Sequence, residues 1–512
     1  MPQITAKIGK NAIESLTVGM YENVLFIYRE YIQNAVDQID KAISMGILKS
    51  KTEEAISIQI EPQSKSIVIE DRATGVKKDD IVTLLIDVAT SQKDRRQDRG
   101  FRGIGRLGGL AYCKKLTFTT SYKGESTKSI VSWDAGRLIN LLRSPDNLEA
   151  HELIECIVSV EYSKEKQEEH YFIVKLEGVH QEDLLDIKKV KDYLSMVAPV
   201  PISGNFIFKP KIEEIYKEFD ASIDEYNIEV NSEQLFKPYK TGIYKNDKRE
   251  DEVIDIEPIV LKNGQKELVA IGWHSIAEKN QSIPPSNLYR GVRLRKGNIQ
   301  IGDEATLRDL FRDVRFHFYY MGEMHVLNSE LTPNARRDYF EDDDSGNLRE
   351  FEKLASNYFN NTLHRIAYRS SYINTYNKKV ESLNRLQEDN NNKHKEGLFI
   401  DSQEQAELKE SIDNNKKEVV QAKEKIFKGL EKEGPIVKSI IEKKAKKLAK
   451  EAHMPKIPSK DASSPPFRTV KLSKLNKKER KMISKVFSII RNFLPPEESQ
   501  LLIEEIEKEL QK

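Results

Sequence analysis

The stretch that decides the fold is Gly100-Phe101-Arg102-Gly103-Ile104-Gly105-Arg106-Leu107-Gly108-Gly109. Glycines at its first, fourth and sixth positions free successive backbone amides to form an anion-binding nest at the start of a helix. A glycine-rich loop alone is weak support for a nucleotide site, because such loops also serve ordinary turns. The sequence lacks the G-x-x-x-x-G-K-[ST] of a P-loop, and no strand-G-x-G-x-x-G-helix unit opens the chain, so neither of those nucleotide folds is predicted.

A helix with one buried face precedes this loop. Residues 22–43 place apolar side chains at helical spacing, and Glu30, Asn34 and Asp37 follow at i, i+4 and i+7 along one stripe of it. If that stripe faces a pocket, Glu30 can orient and deprotonate a water molecule, while the amide oxygen of Asn34 offers Mg²⁺ a hard ligand. The alternative is a solvated polar stripe on an amphipathic helix.

A short β-rich run lies between the helix and the loop. Residues 66–70 predict a strand, and Asp71-Arg72-Ala73-Thr74-Gly75 predicts the turn that ends it. An aspartate at a strand end can accept a hydrogen bond from an exocyclic amine, and Gly75 permits positive φ and close backbone approach to a ligand. An ordinary Asx turn is the alternative.

The order and spacing of E-x-x-x-N-x-x-D, D-x-A-x-G and G-x-x-G-x-G resemble the N, G1 and G2 boxes of the GHKL ATPase superfamily, which includes gyrase B, the ninety-kilodalton heat-shock chaperones, histidine kinases and MutL. Residues 100–120 are most similar to the chaperone group. The resemblance implies a Bergerat α/β sandwich that binds ATP and Mg²⁺, with Glu30 as general base, Asn34 as the Mg²⁺ ligand and Asp71 as the adenine anchor. It further places at the nucleotide Asp37, Gly75, Lys93, Gly100, Arg102, Gly103, Ile104, Gly105 and Thr120, with Lys93 and Arg102 on a lid over residues 91–106.

The sequence departs from the family pattern at two places. Ala73 stands where the family usually has glycine, and Glu169-His170 stands near the position of a later Gly-Thr that touches the adenine. The second departure leaves the adenine contacts of that strand open.

Two downstream segments resemble the middle domain of the same chaperones. Residues 287–300 form one, and residues 322–337 form the other. In that family an arginine on the following loop reaches the γ-phosphate, which implies a catalytic role for Arg337 and, as second choice, Arg336. A guanidinium suits this task because it is always charged and can hold two phosphate oxygens. The alternative is that both arginines pair with the acidic residues that follow, Asp338, Glu341 and Asp342.

The composition and net charge limit the classes of protein to which this chain can belong. The chain has 512 residues, of which 32% are charged, yet the net charge is only +1, so bulk charge does not predict a polyanion-binding protein. Cys113 and Cys156 are the only cysteines, which favours a reducing, cytoplasmic setting. Residues 1–10 have no apolar core of a signal peptide, and no apolar run approaches the roughly 20 residues of a membrane span.

We expect an α+β protein of four parts: a GHKL ATP-binding domain (1–190), a mixed α/β transducer-like middle domain (191–345), a helical coiled-coil region (346–435), and a basic linker with a C-terminal helical hairpin (436–512). The middle domain is predicted to include a strand over residues 204–208. A helix is predicted to end at an Asp-Asn-Asn-Asn break over residues 389–392. It and the next helix fit an antiparallel hairpin, a dimeric coiled coil or two ordinary surface helices.

These features predict a Mg²⁺-dependent, ATP-hydrolysing conformational switch that works as a chaperone-like homodimeric clamp on a protein partner. The alternative is an ATP-gated nucleic-acid clamp of the MORC or MutL kind, in a defence or repair system, with the lysines of residues 443–450 gripping phosphate. A histidine kinase is a weaker interpretation, because no phospho-acceptor helix precedes the ATP domain.

Overall fold

The computed structural model describes residues 9–11, 13–14, 23–88, 105–146, 148–334, 336–342, 344–396, 399–400, 402–451, 472 and 474–511. The predicted site residues Lys93, Gly100, Arg102, Gly103 and Ile104 lie outside this set, as does most of the predicted lid. The chain divides into two compact units, Met1–Asn360 and Asn361–Lys512. The first combines sheets with helices and the second is helical, so the predicted α+β class is confirmed.

The first sheet has eight strands. Their bounds are β1 (Ile56–Glu61), β2 (Ser66–Asp71), β3 (Lys115–Ser121), β4 (Thr127–Asp134), β5 (Val158–Lys164), β6 (Tyr171–Glu177), β7 (Ile228–Val230) and β8 (Glu233–Gln234). The order is β5-β4-β3-β6-β2-β1-β7-β8. All neighbours are antiparallel except β1 and β7, which run parallel.

Helices cover one face of this sheet. They are α1 (Phe26–Ser44), α2 (Ala135–Arg143), α3 (Ala150–Ile157), α4 (Glu182–Leu185) and α5 (Ile187–Val197). The apolar stripe of α1 shares a core with the inward side chains of the strands, for example Ile32 with Ile67 and Phe118. The apolar stripe of α1 is buried in this core as its periodicity predicts, but Arg29, Glu30, Gln33 and Asp37 on the rest of the helix surface are buried as well.

A second sheet has six strands. Their bounds are β9 (Gly242–Lys245), β10 (Lys248–Lys262), β11 (Leu268–Ala277), β12 (Gly291–Lys296), β13 (Ile299–Gln300) and β14 (Met321–Val326), in the order β13-β12-β14-β11-β10-β9. The helices α6 (Lys209–Glu218) and α7 (Asn347–Tyr358) pack on it. The strand predicted over residues 204–208 is wrong: this segment is a turn that leads into α6, because Phe206 is buried against Trp273 rather than paired in a sheet.

The chain passes repeatedly between the cores of the two sheets. Ile202 and Phe206 lie in the second core, Ile228 returns to the first as part of β7, and Tyr239 lies in the second again. The first sheet thus continues beyond residue 190, where the sequence places the domain boundary, because β7 and β8 extend it past β1.

A buried ionic cluster lies where the chain enters the second sheet. The carboxylate of Glu323 accepts hydrogen bonds from Lys237 Nζ (2.9 Å) and Tyr239 Oη (2.8 Å), and it pairs with Arg295 Nε at 2.7 Å. Arg295 Nη2 also donates to the carbonyl of Met196 in α5, at 2.6 Å. Burial lowers the pKa of Lys237 to about 8, although Glu323 opposes that shift. The cluster fixes α5 to the second sheet through groups that have no access to water.

The second unit consists of helices α8 (His364–Glu396), α9 (Ser402–Phe427), α10 (Pro435–Glu451), α11 (Lys477–Phe493) and α12 (Pro496–Gln511). The first two pair antiparallel within the chain, as the contacts Lys379–Glu418 and Lys393–Glu404 show. The predicted break at residues 389–392 is wrong, because α8 runs through it. Among the described residues, no helix has the length and apolar character needed to cross a membrane.

Candidate nucleotide site

Glu30 lies at the centre of the candidate site. It is 9% exposed on α1, and its Oε1 atom has no hydrogen-bond partner. The backbone of Gly105 presses against it so closely that a Cβ at that position would lie 2.4 Å from Glu30 Oε2. A side chain at residue 105 would therefore force the Glu30 carboxylate to move, and in its present position Oε1 accepts no hydrogen bond.

Arg337 reaches the same carboxylate from the second sheet's side. Its Nε atom lies 3.7 Å from Glu30 Oε1, and the side chain is buried. The arginine loop, residues 336–338, holds Arg337 at φ +54°, and Gly302 N donates to the Arg337 carbonyl at 2.8 Å. A non-glycine residue at positive φ stores strain, which the fixed surroundings offset.

Arg29 is a site residue that sequence reasoning missed. It is 1% exposed, and its Nη2 donates to the carbonyl of Arg336 at 3.0 Å. The guanidinium lies 4.2 Å from the ring centroid of Phe26 and 3.7 Å from Glu30 Oε1, while its Nε and Nη1 have no hydrogen-bond partner. The neighbour of the proposed base thus ties the arginine loop to α1. Its only signal in the sequence is its place beside Glu30.

Asn34 and Asp37 continue the stripe of α1, Asn34 half-buried and Asp37 buried. Beside them Gln33, also missed, is fully buried with neither amide atom hydrogen-bonded. The described residues contain no group of three or more His, Cys, Asp or Glu side chains that could hold a metal. One amide oxygen on a polar stripe fits Mg²⁺ that arrives with phosphate oxygens and water as its other ligands.

Asp71 ends β2 in a buried position. Its Oδ1 accepts from Ala73 N at 3.1 Å, and His170 Nδ1 donates to the Ala73 carbonyl at 2.6 Å. Burial raises the pKa of Asp71 to about 7, against the opposing effect of the Ala73 hydrogen bond. A buried carboxyl with a perturbed pKa at a turn is the kind of group that functional sites use. His170, at a position where the sequence departs from the family pattern, holds this turn in place.

Gly75 and Thr120 shape the floor beside Asp71. Gly75 has φ +65°, and a Cβ there would lie 1.8 Å from the carbonyl oxygen of Ser121. Thr120 Oγ1 donates to the Tyr171 carbonyl and accepts from Val76 N, both at 2.9 Å. The hydroxyl of Thr120 therefore binds the turn to β6, and this contact positions Gly75.

The described part of the glycine-rich loop forms a 3₁₀ helix, Gly105–Ala111. Tyr31 Oη on α1 donates to the Arg106 carbonyl at 3.1 Å, and a Cβ at Gly109 would lie 2.5 Å from that hydroxyl. Arg106 donates to the carbonyl of Asp87, and burial lowers the pKa of its guanidinium to about 10. The three predicted sequence boxes thus meet at α1.

Residues 25–155 match the family model described as histidine kinase-, DNA gyrase B-, and HSP90-like ATPase. The matched stretch is about a quarter of the chain and contains α1, Asp71 and Gly105, so the chain carries a domain similar to the GHKL ATPases. Its similarity to the heat-shock chaperones is confirmed by two curated relatives, both named chaperone protein HtpG.

The relative from Rickettsia akari is 26% identical, over 43% of this chain and 38% of that protein. The relative from Chromobacterium violaceum is also 26% identical, over 36% of this chain and 30% of that protein. The chain therefore spans less than two-fifths of the length of either HtpG protein.

Proposed function

We propose that the protein is a Mg²⁺-dependent ATPase that works as a conformational switch. The observation that carries the proposal is the approach of Arg337 to Glu30, because it joins a buried acid on the ATPase domain to a cation from the second sheet. Phosphoryl transfer to water needs positioning and charge neutralisation more than covalent chemistry, and this pair supplies one group for each task.

Each residue of the site has a proposed role. Glu30 takes the proton of the attacking water, for which its Oε1 is suited because it accepts no hydrogen bond. Arg337 stabilises the charge that grows on the transferred phosphoryl group. Asn34 holds Mg²⁺, whose chemistry is to neutralise phosphate charge, and Asp71 accepts from the adenine amine. By the family resemblance we keep the other predicted contacts with the nucleotide: Asp37, Gly75, Lys93, Gly100, Arg102, Gly103, Ile104, Gly105 and Thr120, with Arg336 as a second arginine.

The arginine loop lies against α1, held by Arg29 and Gly302. A large swing of the second sheet is therefore not needed to deliver Arg337. By the family resemblance we propose that residues 91–106, most of which lie outside the described residues, form the lid over the nucleotide, and that nucleotide binding is transmitted through Glu30 and the arginine loop.

We further propose that the protein acts as a homodimer through the C-terminal hairpin of α11 and α12. Within the hairpin, Phe487 packs against Ile503. A second apolar stripe on α11 points to solvent, with Met482 70% and Phe493 83% exposed and Val486 and Ile489 between them. These two stripes lie about a quarter turn apart at 100° per residue, as expected of a helix that contacts two neighbours in a bundle.

The charges of the two helices of the hairpin indicate which helix of a second copy would pack on the exposed stripe of α11. Helix α11 (residues 477–493) has six Lys or Arg and one Glu, a net charge of +5, whereas α12 (residues 496–511) has six Glu and one Lys, a net charge of −5. Two copies related by a twofold axis can place α11 of each against α12 of the other. Such a four-helix arrangement covers the exposed stripe and pairs opposite charges across the interface.

The nucleic-acid clamp remains the second candidate function. In its favour, α10 has six Lys and two Glu, a net charge of +4. Against it, Lys444 is buried and donates to Ser370 Oγ at 3.1 Å, so this lysine serves the fold of the helical unit. Retention of the protein on DNA that falls steeply with salt would favour the clamp, and a flat salt response would favour a protein partner.

The decisive experiment replaces Arg337. If Arg337 acts on charge that is largest in the transition state, Arg337→Ala lowers kcat by about 10²-fold or more and changes ATP affinity little. The matched control is Arg315→Ala, an exposed arginine paired only with its neighbour Asp313. Equal turnover by Arg337→Ala and the wild type would remove Arg337 from the mechanism.

A further inference from the structure

A cavity of ≈ 760 Å³ lies beside the arginine loop, and Glu30 is not among the residues that line it. Its walls come from the start of α1, from α5, from the segments around β12 and β13, and from the arginine loop itself. Of the described residues predicted to act on ATP, only Arg336 lines it. Cavities of this size between structural units accommodate small molecules or a few residues of peptide.

The acidic side chains of the cavity wall already have partners. Asp192 pairs with Lys188 at 3.0 Å, and Glu304 accepts from Arg290 Nε at 3.1 Å. Asp303 accepts from the backbone of Ala305 at 2.7 Å. These carboxylates therefore do not indicate a cation-binding site in the cavity.

The arginines of the same wall are less well compensated. Arg293 is 4% exposed; its Nη2 donates to the Leu288 carbonyl at 2.6 Å, but its Nε has no hydrogen-bond partner and its ion pair with Glu304 spans 3.8 Å. Arg336 also lines the cavity; it is exposed and, among the described residues, forms no ion pair. A buried guanidinium with an unused N–H group is costly unless a ligand supplies the acceptor.

The rest of the wall is largely apolar. Phe26 and Tyr193 stack with their ring centroids 6.4 Å apart, and Met196 and Leu288 lie on the same surface. We propose that this cavity binds a ligand with an apolar body and a carboxylate, and that the carboxylate is held by Arg293 and Arg336. A free organic acid and the C-terminus of a hydrophobic peptide both supply this chemistry.

The cavity is connected to the proposed ATPase site by two short paths. Phe26 lies under the guanidinium of Arg29, which donates to the Arg336 carbonyl. Gln300 Nε2 donates to the Gly302 carbonyl at 3.0 Å, and Gly302 N donates to the Arg337 carbonyl. A ligand in the cavity therefore contacts the groups that hold Arg337 beside Glu30 and regulates ATP turnover. This regulatory part rests on the proposed function, whereas binding does not.

The test measures binding to the full chain by titration calorimetry. The probes are 4-phenylbutyrate, its neutral amide, and a tripeptide ending in phenylalanine with either a free or an amidated C-terminus. We expect both carboxylates to bind and both amides to bind at least tenfold more weakly, the ratio that one charge-assisted hydrogen bond gives at about 1.4 kcal/mol. A preference between the two carboxylates identifies the source of the ligand.

Variants locate the site. Arg293→Gln should weaken the carboxylates at least tenfold, and Leu288→Trp, at a partly exposed position of the wall, should block them by filling the cavity. Arg315→Gln, a change at an exposed arginine that does not line the cavity, should bind as the wild type does. The proposal is overturned if neither carboxylate binds, if acid and amide bind equally, or if a folded Leu288→Trp protein binds unchanged. Binding without any ATP turnover in the wild type would instead count against the proposed function.

Discussion

Arg337 Nε lies 3.7 Å from Glu30 Oε1, so a loop that follows the second sheet ends beside a buried acid of the first. The contact puts opposite charges next to each other in a site that largely excludes water, where an ion pair is felt strongly. It also gives Glu30 a partner that must be released, or shared with substrate, before the carboxylate can act on water. In this structure the acid and the arginine are therefore already together, but their contact keeps Glu30 from acting on water.

Replacement of Glu30 tests the base. Glu30→Gln keeps the shape of the side chain but cannot take up a proton, so ATP hydrolysis should fall by roughly 10²–10⁴, while ATP binding stays within a few-fold of the wild type. Single-turnover hydrolysis and equilibrium binding of a non-hydrolysable ATP analogue separate the two effects. A variant that hydrolyses ATP at the normal rate would exclude Glu30 as the base.

Asp71 makes stability depend on pH. Because burial raises its pKa to about 7 in the folded protein, the folded state holds a proton that the unfolded state has released, and stability falls as pH rises from about 4 to about 7. Asp71→Asn removes this loss. The free energy of unfolding of Asp71→Asn relative to the wild type, measured by urea denaturation, should therefore increase by ~1–3 kcal/mol between about pH 4.5 and about pH 8.

The same carboxyl should make nucleotide affinity depend on pH. The ionised form is the better acceptor for an adenine amine, so wild-type ATP affinity should increase through about pH 7. In Asp71→Asn the affinity should be lower and flat over that range. A parallel pH profile in both proteins would show that another group is responsible.

Arg29 should act through the arginine loop rather than on substrate. Arg29→Gln removes the charge that holds the Arg336 carbonyl, so kcat should fall by about tenfold, with little further loss when Arg337→Ala is added. Additive losses in the double variant would mean that the two arginines act independently. Arg29→Lys should restore part of the rate, because it keeps a donor and a charge.

The shortest active fragment should end near residue 360. A fragment that ends near residue 190 lacks β7 and β8, so the edge of β1 is left unpaired, and we expect it to aggregate or unfold. Residues 1–360 keep both sheets and the Arg337–Glu30 contact, and they should hydrolyse ATP. A soluble, fully active fragment ending at 190 would contradict both the boundary argument and the role of Arg337.

Charge reversal tests the dimer. Lys478→Glu with Lys485→Glu on α11, or Glu498→Lys with Glu505→Lys on α12, should each give monomers in analytical ultracentrifugation, because the net charge of the changed helix falls to +1 or −1 and most of the attraction across the interface is lost. Mixing the two variants should restore dimers, since the unchanged α11 of one variant then meets the unchanged α12 of the other. Two variants that stay dimeric on their own would rule out this interface.

Sequence periodicity predicts the parts of this protein whose signals are local. The stripe of α1 and the strand-to-turn break at Asp71 could be predicted from the sequence. Apolar spacing and glycine are visible within a short segment and do not depend on residues far away in the chain. Arg29 and Gln33 could not, since their importance comes from burial among segments far away in the chain. The predicted break at residues 389–392 was wrong because asparagine only weakens a helix, and the ion pair of Lys393 with Asp389 supports it.

Between residues 198 and 239 the chain crosses from one core to the other three times, between Val200 and Ile202, between Tyr216 and Tyr226, and between Leu235 and Tyr239. A single connecting segment would let the two sheets rotate relative to each other about any axis. Three connecting segments restrict these rotations to few directions. A displacement of one sheet is then passed to the other sheet through these segments rather than absorbed by a flexible linker. A protein connected in this way is suited to transmit small displacements rather than to open widely.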